Sequence, residues 1–235
     1  MEIKKEDFST TQGFVALYDI LGYSQLVEEN DLLKVVAVHE KMKEMMKNNT
    51  EGYVYRLGKP IITVYNYADT FLIYTNEMSD TGFKALLVGC HFMFIAAIKY
   101  GLPIRGATAC GEFYISENLI TGKPIIEAYK KERKQDWIGC WITKECLDKI
   151  TEDARTKFIN ERKIVKYPIP FKEGKVEEVY AFNWLDNIFI QGNSINQNYL
   201  ETKSFLQKKN SHSWREERKH KNTKEFIHFV LNLNH

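Results

Sequence analysis

The spacing of apolar and polar residues divides the first part of the chain into strands and helices. The stretch FVALYDILGYS, residues 14–24, is apolar on successive positions, which is typical of a strand buried on both faces. The next segment, SQLVEENDLLKVVAVHEKMKEMMKNN, has apolar residues three and four positions apart with an interruption at residues 29–31. It predicts a short helix followed by a longer one. The sequence PIITVYNYADTFLIYT, residues 60–75, predicts two strands that turn at Asp69.

The same reasoning extends to residue 185. Residues 85–98, ALLVGCHFMFIAAI, predict a buried helix that Gly101-Leu102-Pro103 ends, and they fall short of the roughly 20 residues that span a bilayer. The sequence IRGATACGEFYI then predicts a strand with a bend or hairpin at Gly111. GKPIIEAYKKERKQ, from Gly122, predicts a helix with Pro124 in its first turn. Further short elements are predicted at WIGCWI (strand), TKECLDKI (helix) and VEEVYAFNWL (strand).

The order of these elements favours an α+β fold. Helices between strands that later pair antiparallel indicate a ferredoxin-like sheet with helices packed on it, rather than a doubly wound parallel sheet. We assign residues 1–185 to this domain and residues 186–235, rich in Asn, Gln, Lys and Ser, to a C-terminal helical extension. The extension is predicted to form two helices, the last at TKEFIHFVLNL, that lie against the domain or a partner.

Composition and charge exclude several functions. The formal charge of +2 gives no global field for nucleic acid, and the basic run at residues 208–224 is typical of a solvated face. The cysteines form no CxxC pair and have no histidine at metal-ligand spacing, so we expect reduced core thiols: Cys90, Cys110, Cys140 and Cys146. His91 is expected to be a core histidine. The polar start MEIKKEDFSTTQG has no apolar leader, which predicts a cytoplasmic protein without a membrane partner.

Two aspartates are the candidate chemistry. Asp19 ends the first strand and Asp69 lies in the predicted hairpin turn, so the two converge if the hairpin lies beside that strand. Paired carboxylates repel unless a divalent cation lies between them, and oxygen ligands suit Mg²⁺ or Mn²⁺. GxGxxG and Walker patterns are absent from the sequence, so phosphate handling would use metal. Two interpretations stay open at this point: a metal site for phosphoryl or nucleotidyl transfer, or ordinary turn and helix-cap residues.

Four segments resemble a known family. FVALYDILGYSQLV looks like the opening of class III nucleotide cyclases, whose first strand carries a metal-binding Asp followed by Ile or Val and a glycine. YNYADTFLIY is similar to their hairpin, where a second metal-binding Asp occupies the turn. LPIRGATACGEFYI with GKPIIEAYKKERKQDWIGCWI resembles the bacterial pyrimidine cyclases of the Pycsar antiphage systems. The resemblance covers residues 14–184.

The resemblance implies a role for several residues. Asp19 and Asp69 would hold two Mg²⁺ or Mn²⁺ ions, with the backbone carbonyl of Ile20 completing the site. Gly22 would be the glycine that follows the first metal ligand on the substrate side. Tyr65 precedes Asp69 by four residues, a spacing that this family associates with pyrimidine specificity, and is therefore a candidate for the base pocket. The alternative interpretation is that Tyr65 is an aromatic residue of an alternating strand and packs in the core.

The chain departs from the family on one helix. Class III cyclases place an Asn and an Arg there, to hold the ribose and to stabilise charge on the triphosphate, whereas this sequence has Ile126 and Lys130. Lys130 is a candidate stand-in as a point charge without a bidentate fork, and Arg105 and Lys123 are the other candidate cations. The purine-selecting Lys and Asp of adenylyl cyclases are not recognisable, which agrees with a different base.

The resemblance implies a homodimeric cyclase that acts on UTP, or alternatively CTP. The ribose 3′-hydroxyl would attack the α-phosphate to give a 3′,5′-cyclic nucleotide and pyrophosphate, in sites between protomers. The product would act on a separate effector in antiphage defence. Two other functions stay open: a catalytically inactive cyclase-like nucleotide sensor, and a nucleotidyl transferase of the polymerase-palm type.

Overall fold

The computed structural model describes residues 9–50, 55–56, 59–185, 190–191, 194–195 and 214–233. The strands are β1 (Thr11–Ile20), β2 (Tyr55–Arg56), β3 (Lys59–Pro60), β4 (Ile62–Tyr67), β5 (Thr70–Thr75), β6 (Ile104–Ile115), β7 (Ile120–Gly122), β8 (Gly139–Ile142), β9 (Ile164–Pro170), β10 (Val176–Phe182), β11 (Ile190–Gln191) and β12 (Ser194–Ile195). The helices are α1 (Tyr23–Glu29), α2 (Leu32–Thr50), α3 (Asp80–Tyr100), α4 (Lys123–Lys134), α5 (Lys144–Leu147), α6 (Glu152–Asn160) and α7 (Trp214–Asn232).

One mostly antiparallel sheet organises the described chain. Its strand order is β4-β5-β1-β6-β8-β10-β9, with β7 paired to β6, and β6 with β8 is its parallel pair. The pairs β2–β3 and β11–β12 lie apart from it. This sheet with helices packed on it confirms the predicted α+β fold.

The two faces of the sheet bury different sets of side chains because successive residues of a strand point to opposite faces. Phe14, Tyr18 and Phe71 belong to the main core, which includes residues of α2 and α3. Val15 and Leu17 of β1 belong to a smaller cluster on the other face, which includes Ala128 of α4. That second face, beneath α4, is where the candidate chemistry lies.

The predicted buried helix is confirmed as α3. The Ser79 side chain accepts a hydrogen bond from Gly82 N–H at its start, and Gly101 ends it at φ 71°, a left-handed conformation that glycine tolerates best. The helix is long and apolar enough to cross a membrane by length and composition, and 67% of its apolar stretch is buried inside the fold. This burial is typical of the core helix of a domain.

Several elements differ from the sequence analysis. β6 continues through Gly111 and pairs with β1 on both sides of that glycine, so the strand is confirmed and, of the bend or hairpin predicted there, the hairpin is wrong. The helix α6 was not predicted. Its start does have a capping residue, because the Thr151 side chain accepts a hydrogen bond from Ala154 N–H at 3.3 Å. β9 was not predicted either, since Pro168 and Pro170 argue against a central strand; β9 is an edge strand, where proline is tolerated.

The C-terminal helix packs against the domain. α7 begins at Trp214, earlier than the predicted start near Thr223, and its Phe226 ring lies 4.8 Å from those of Trp137 and Tyr167. The hydroxyl of Thr223 accepts a hydrogen bond from Ile138 N–H at 2.9 Å. The other predicted tail helix lies outside the described residues. The four cysteines are free thiols, as predicted, and Cys110 alone among them is half-buried rather than buried.

Candidate active site

Asp19 is fixed at the end of β1 by strand pairing on both sides. It lies opposite Thr70 of β5 and opposite Arg105 of β6, so its side chain shares a sheet face with Leu17 and points beneath α4. Its side chain is 29% exposed, which leaves one side open to solvent. The register therefore places a carboxylate at the rim of a packed face.

Asp69 lies in the two-residue turn that joins β4 to β5. The backbone N–H of Ile20 donates to the carbonyl of Asp69 at 3.0 Å, so the turn is bound directly to the end of β1. The side chain of Asp69 lies close enough to that of Asp19 to raise the pKa of Asp19. The structure thus brings together two carboxyl groups that are fifty positions apart in the sequence.

The site concentrates negative charge. Burial and the neighbouring Glu132 and Asp69 carboxylates together raise the pKa of Asp19 to about 7, although the Arg105 guanidinium opposes the rise. The carboxylates of Asp19 and Glu132 thus pair with one guanidinium, and the Asp69 carboxylate lies beside Asp19. A divalent cation between Asp19 and Asp69 would stabilise their ionised forms.

The donors present fit a hard divalent ion. The two carboxyl groups supply oxygen ligands, the set that Mg²⁺ and Mn²⁺ prefer. Mg²⁺ is commonly held by one or two carboxylates together with substrate phosphates and water. Across the described ranges, no group of three or more His, Cys, Asp or Glu side chains forms a complete protein cage for a metal. A two-carboxylate site of this kind would leave coordination positions for a phosphorylated substrate.

Arg105 is buried behind Asp19. Its Nε donates to Glu132 Oε1 at 2.6 Å, its Nη1 donates to the Gln135 carbonyl at 2.9 Å, and its Nη2 lies 3.7 Å from Asp19 Oδ2. Nη2 also pairs with Glu132. These contacts occupy each nitrogen of the guanidinium within the protein, and they link Asp19 to α4.

Sequence reasoning missed Glu132 and Gln135. Glu132 lies one turn after the buried Ala128 on α4, and that spacing was the available signal that it points toward the sheet. Burial raises the pKa of Glu132, and Arg105 opposes the rise. Gln135 donates through Nε2 to the Gly106 carbonyl at 2.9 Å and accepts from Trp137 Nε1 at 2.8 Å, so the segment after α4 is fixed to β6.

Tyr65 and Gly22 lie around the same end of the sheet. Tyr65 pairs with Leu72, which pairs with Leu17, so its half-buried side chain shares the face of Asp19. Its hydroxyl donates to the Glu117 carbonyl at 3.4 Å. Gly22 adopts φ 77° with open space where a Cβ would be, in the tight turn predicted from the sequence.

The remaining candidate cations are on the surface of α4. Lys123 and Lys130 are exposed, and neither forms an ion pair with Asp19 or Asp69 in the part of the chain that the structure describes. Ile126, at the position of the family Asn, is 54% exposed. The structure therefore gathers Asp19, Asp69 and Arg105, whereas the α4 lysines point away from the packed face.

Comparison with known proteins identifies the fold. No family model and no curated protein matches the chain. A solved structure of the catalytic core of a rhodopsin-guanylyl cyclase with converted specificity, in complex with ATPαS, is 15% identical with a TM-score of 0.50, and the match covers 74% of this chain and 97% of that one. An adenylate cyclase from Trypanosoma brucei is 10% identical with a TM-score of 0.49, covering 77% and 92%. The chain has the fold of a class III nucleotide cyclase catalytic domain.

We expect Glu132→Gln to lower the free energy of unfolding by about 3–5 kcal/mol, because it leaves the buried Arg105 charge without its main partner. The double variant Arg105→Met/Glu132→Leu should recover most of that loss, since neither charge then remains buried. Urea unfolding measures both values. Glu145→Gln is the control, because its pair with Lys131 is exposed and worth less than about 1 kcal/mol. A Glu132→Gln protein as stable as the wild type would contradict this account.

Proposed function

We propose that this chain is a metal-dependent cyclase that converts UTP to 3′,5′-cyclic UMP and pyrophosphate in a Pycsar-type antiphage response. The observation that carries the proposal is the convergence of Asp19 and Asp69 at the end of β1, on a fold shared with nucleotide cyclase catalytic domains. Fold alone does not fix an activity, so the argument rests on this site. The pyrimidine substrate and the antiphage role rest on the sequence motifs.

The residues of the site have distinct tasks in this proposal. Asp19, Asp69 and the Ile20 carbonyl would hold Mg²⁺ or Mn²⁺, which when bound lowers the pKa of the 3′-hydroxyl and offsets charge on the triphosphate. The 3′-hydroxyl gives its proton to solvent water, a bond forms between O3′ and the α-phosphorus, the bond from that phosphorus to the bridging oxygen of the β-phosphate breaks, and pyrophosphate leaves. Arg105 keeps Asp19 oriented through an ion pair at 3.7 Å, while its hydrogen bonds to Glu132 and the Gln135 carbonyl hold the guanidinium in place.

The base would lie along the face that carries Tyr65. A phenolic hydroxyl both donates and accepts hydrogen bonds, so it suits the edge of a pyrimidine. In the structure this hydroxyl makes a long bond to the Glu117 carbonyl, which a base could replace at small cost. UTP is the proposed substrate and CTP the alternative.

The face of Asp19 has apolar side chains that a second copy of the chain would cover. Ile126 and Tyr129 of α4 are 54% and 47% exposed. Tyr67, next to the Asp69 turn, is 76% exposed and pairs with Thr70 on the same face. Burial of such residues drives association, and a symmetric dimer would create two equivalent sites. Lys130 would then reach the triphosphate bound to the other protomer, with Lys123 nearby at the start of α4.

The direct test is incubation with each NTP and Mn²⁺, followed by mass analysis of the products. Cyclic UMP is expected, and its loss in Asp69→Asn would place the reaction at the carboxylate pair, because that change removes a ligand charge with little change in volume. The loss should exceed the roughly 10–100-fold cost of removing an outer-shell partner. Asp31→Asn is the control, since Asp31 caps α2 through Leu33 N–H and Asn caps equally well.

The product decides between the alternatives. Formation of cyclic CMP would identify CTP, instead of UTP, as the substrate. Unchanged nucleotide that nevertheless binds would indicate a sensor, and oligonucleotides or dinucleotides would indicate a palm-type transferase. An Asp69→Asn protein with full activity would refute the metal assignment.

Shared sites make a separate prediction about mixed dimers. Asp69→Asn and Lys130→Ala should each be nearly inactive as homodimers, because every site lacks one contribution. Mixing the two proteins should restore activity, since a mixed dimer has one site with both residues native and one with both changed. Cyclic nucleotide formation across a mixing series measures this. No gain on mixing would show that the residues do not act across an interface.

Tyr65→Phe should change the ratio of kcat/KM for UTP to that for CTP by about tenfold, the worth of one hydrogen bond. The side chain is half-buried and its present bond is long, so we expect little change in thermal stability. Tyr74→Phe is the control, because Tyr74 is a half-buried tyrosine on the same face. A lower melting temperature with an unchanged substrate ratio would instead assign Tyr65 to core packing.

A further inference from the structure

The turn that carries Asp69 has an unfavourable backbone. Ala68 adopts φ 51°, in the left-handed region where the Cβ of an L-residue is disfavoured and glycine is the usual choice. The turn has only two residues, since Tyr67 pairs with Thr70. A strained two-residue turn keeps its shape only when neighbouring groups hold it.

Three consecutive carbonyl groups of this turn accept hydrogen bonds. The amide nitrogen of Asn66 donates to the Ala68 carbonyl at 3.4 Å and to the Thr70 carbonyl at 3.1 Å, and Ile20 N–H donates to the carbonyl of Asp69 between them. Both protons of the Asn66 amide are thereby used. Asn66 thus holds the backbone on each side of Asp69.

Asn66 reaches the turn from the face opposite to Asp19. It pairs with Phe71, which lies opposite Tyr18 in the main core, whereas Asp19 lies on the α4 face. The Asn66 side chain therefore acts on Asp69 through the backbone of the turn.

His39 of α2 packs on Phe71, the strand partner of Asn66. Its buried ring stacks on Phe71 with a centroid distance of 5.8 Å and contacts Tyr23 edge-on at 5.5 Å. The imidazole also lies near the Asn66 side chain, and its Nε2 has no partner among the described residues. His39 thus packs on the core side of the strand pair that carries Asn66.

We infer that Asn66 is a positioning residue for Asp69: its amide clamps the Ala68–Thr70 backbone so that the Asp69 carboxylate stays beside Asp19. The inference rests on the proposed metal-dependent function and assigns a support to one half of that site. Loss of such outer partners typically weakens metal binding by about 10–100-fold.

The test is a direct Mn²⁺ binding measurement in which electron paramagnetic resonance detects the free Mn²⁺. Asn66→Leu keeps the size of the side chain and removes both donors, so the Mn²⁺ dissociation constant should rise about 10–100-fold. The matched control is Asn183→Leu. Asn183 donates to the carbonyl of Arg162, another residue with positive φ, at 2.8 Å, next to β10 and far from β4 in the strand order. The control should lose stability and keep wild-type Mn²⁺ affinity.

Enzyme kinetics separates positioning from a general loss of structure. In Asn66→Leu the KM for Mn²⁺ should rise by the same factor as the dissociation constant, with kcat at saturating Mn²⁺ within about twofold of wild type, because metal can still fill a loosened site. A fall in kcat at unchanged KM for Mn²⁺ would overturn the positioning role.

The outcomes distinguish this inference from the function on which it rests. Wild-type protein that binds no Mn²⁺ would remove the metal site and with it the proposed function. Wild-type binding with equal affinity in Asn66→Leu would overturn the inference alone. If Asn66→Leu fails to fold, Asn66→Thr replaces it: threonine is favoured in strands, and its short hydroxyl does not reproduce the paired amide donors.

Discussion

Two like charges, on Asp19 and Asp69, are held together at one end of the sheet, and the site depends on that constraint. Their approach is opposed by Coulomb repulsion in a half-buried setting. It persists because backbone hydrogen bonds impose it: β1 pairs with β5 in a register that sets Asp19 opposite Thr70, and Ile20 N–H bonds the Asp69 carbonyl. A slip of one residue would turn Asp19 into the opposite core. The sheet therefore supplies the rigidity that a cation site needs.

The two carboxylates are supported by different chemistry on opposite faces of the sheet. Asp19 is backed by a buried ion pair, Arg105 with Glu132, which brings a positive charge near it without neutralising it. Asp69 is backed by the neutral amide of Asn66, which acts on the backbone of its turn. A charged support changes the electrostatics of the site, whereas a neutral support changes only its geometry. The pair therefore combines one carboxylate whose electrostatics a neighbouring charge changes with one whose backbone is held in place.

The sequence predicted most of the elements that flank the site. Periodicity or stop signals predicted four of them: the strand at residues 14–24, the hairpin at Asp69, the buried α3, and α4 after Gly122. β9 was missed because its two prolines are acceptable only at a sheet edge, and edge position is a property of the assembled sheet. The sequence left either a bend or a hairpin at Gly111, and the hairpin was wrong, since β1 pairs with β6 on both sides of that glycine.

The sequence by itself determined the candidate ligands, because two aspartates at a strand end and a hairpin turn are local features that a motif can carry. Only the tertiary structure decided what surrounds them. Arg105, a candidate cation for the triphosphate, is buried against Glu132. Neither Glu132 nor Asn66 was a candidate from the sequence, because one is a polar residue in a helix and the other a polar residue in a strand. The ion-pair partner of Glu132 is distant in the chain, and the hydrogen-bond partners of Asn66 lie in and beside a turn whose conformation the sequence does not show. Which polar groups pair is settled when the sheet brings them together, because a buried donor or acceptor must find whatever partner the fold places within reach.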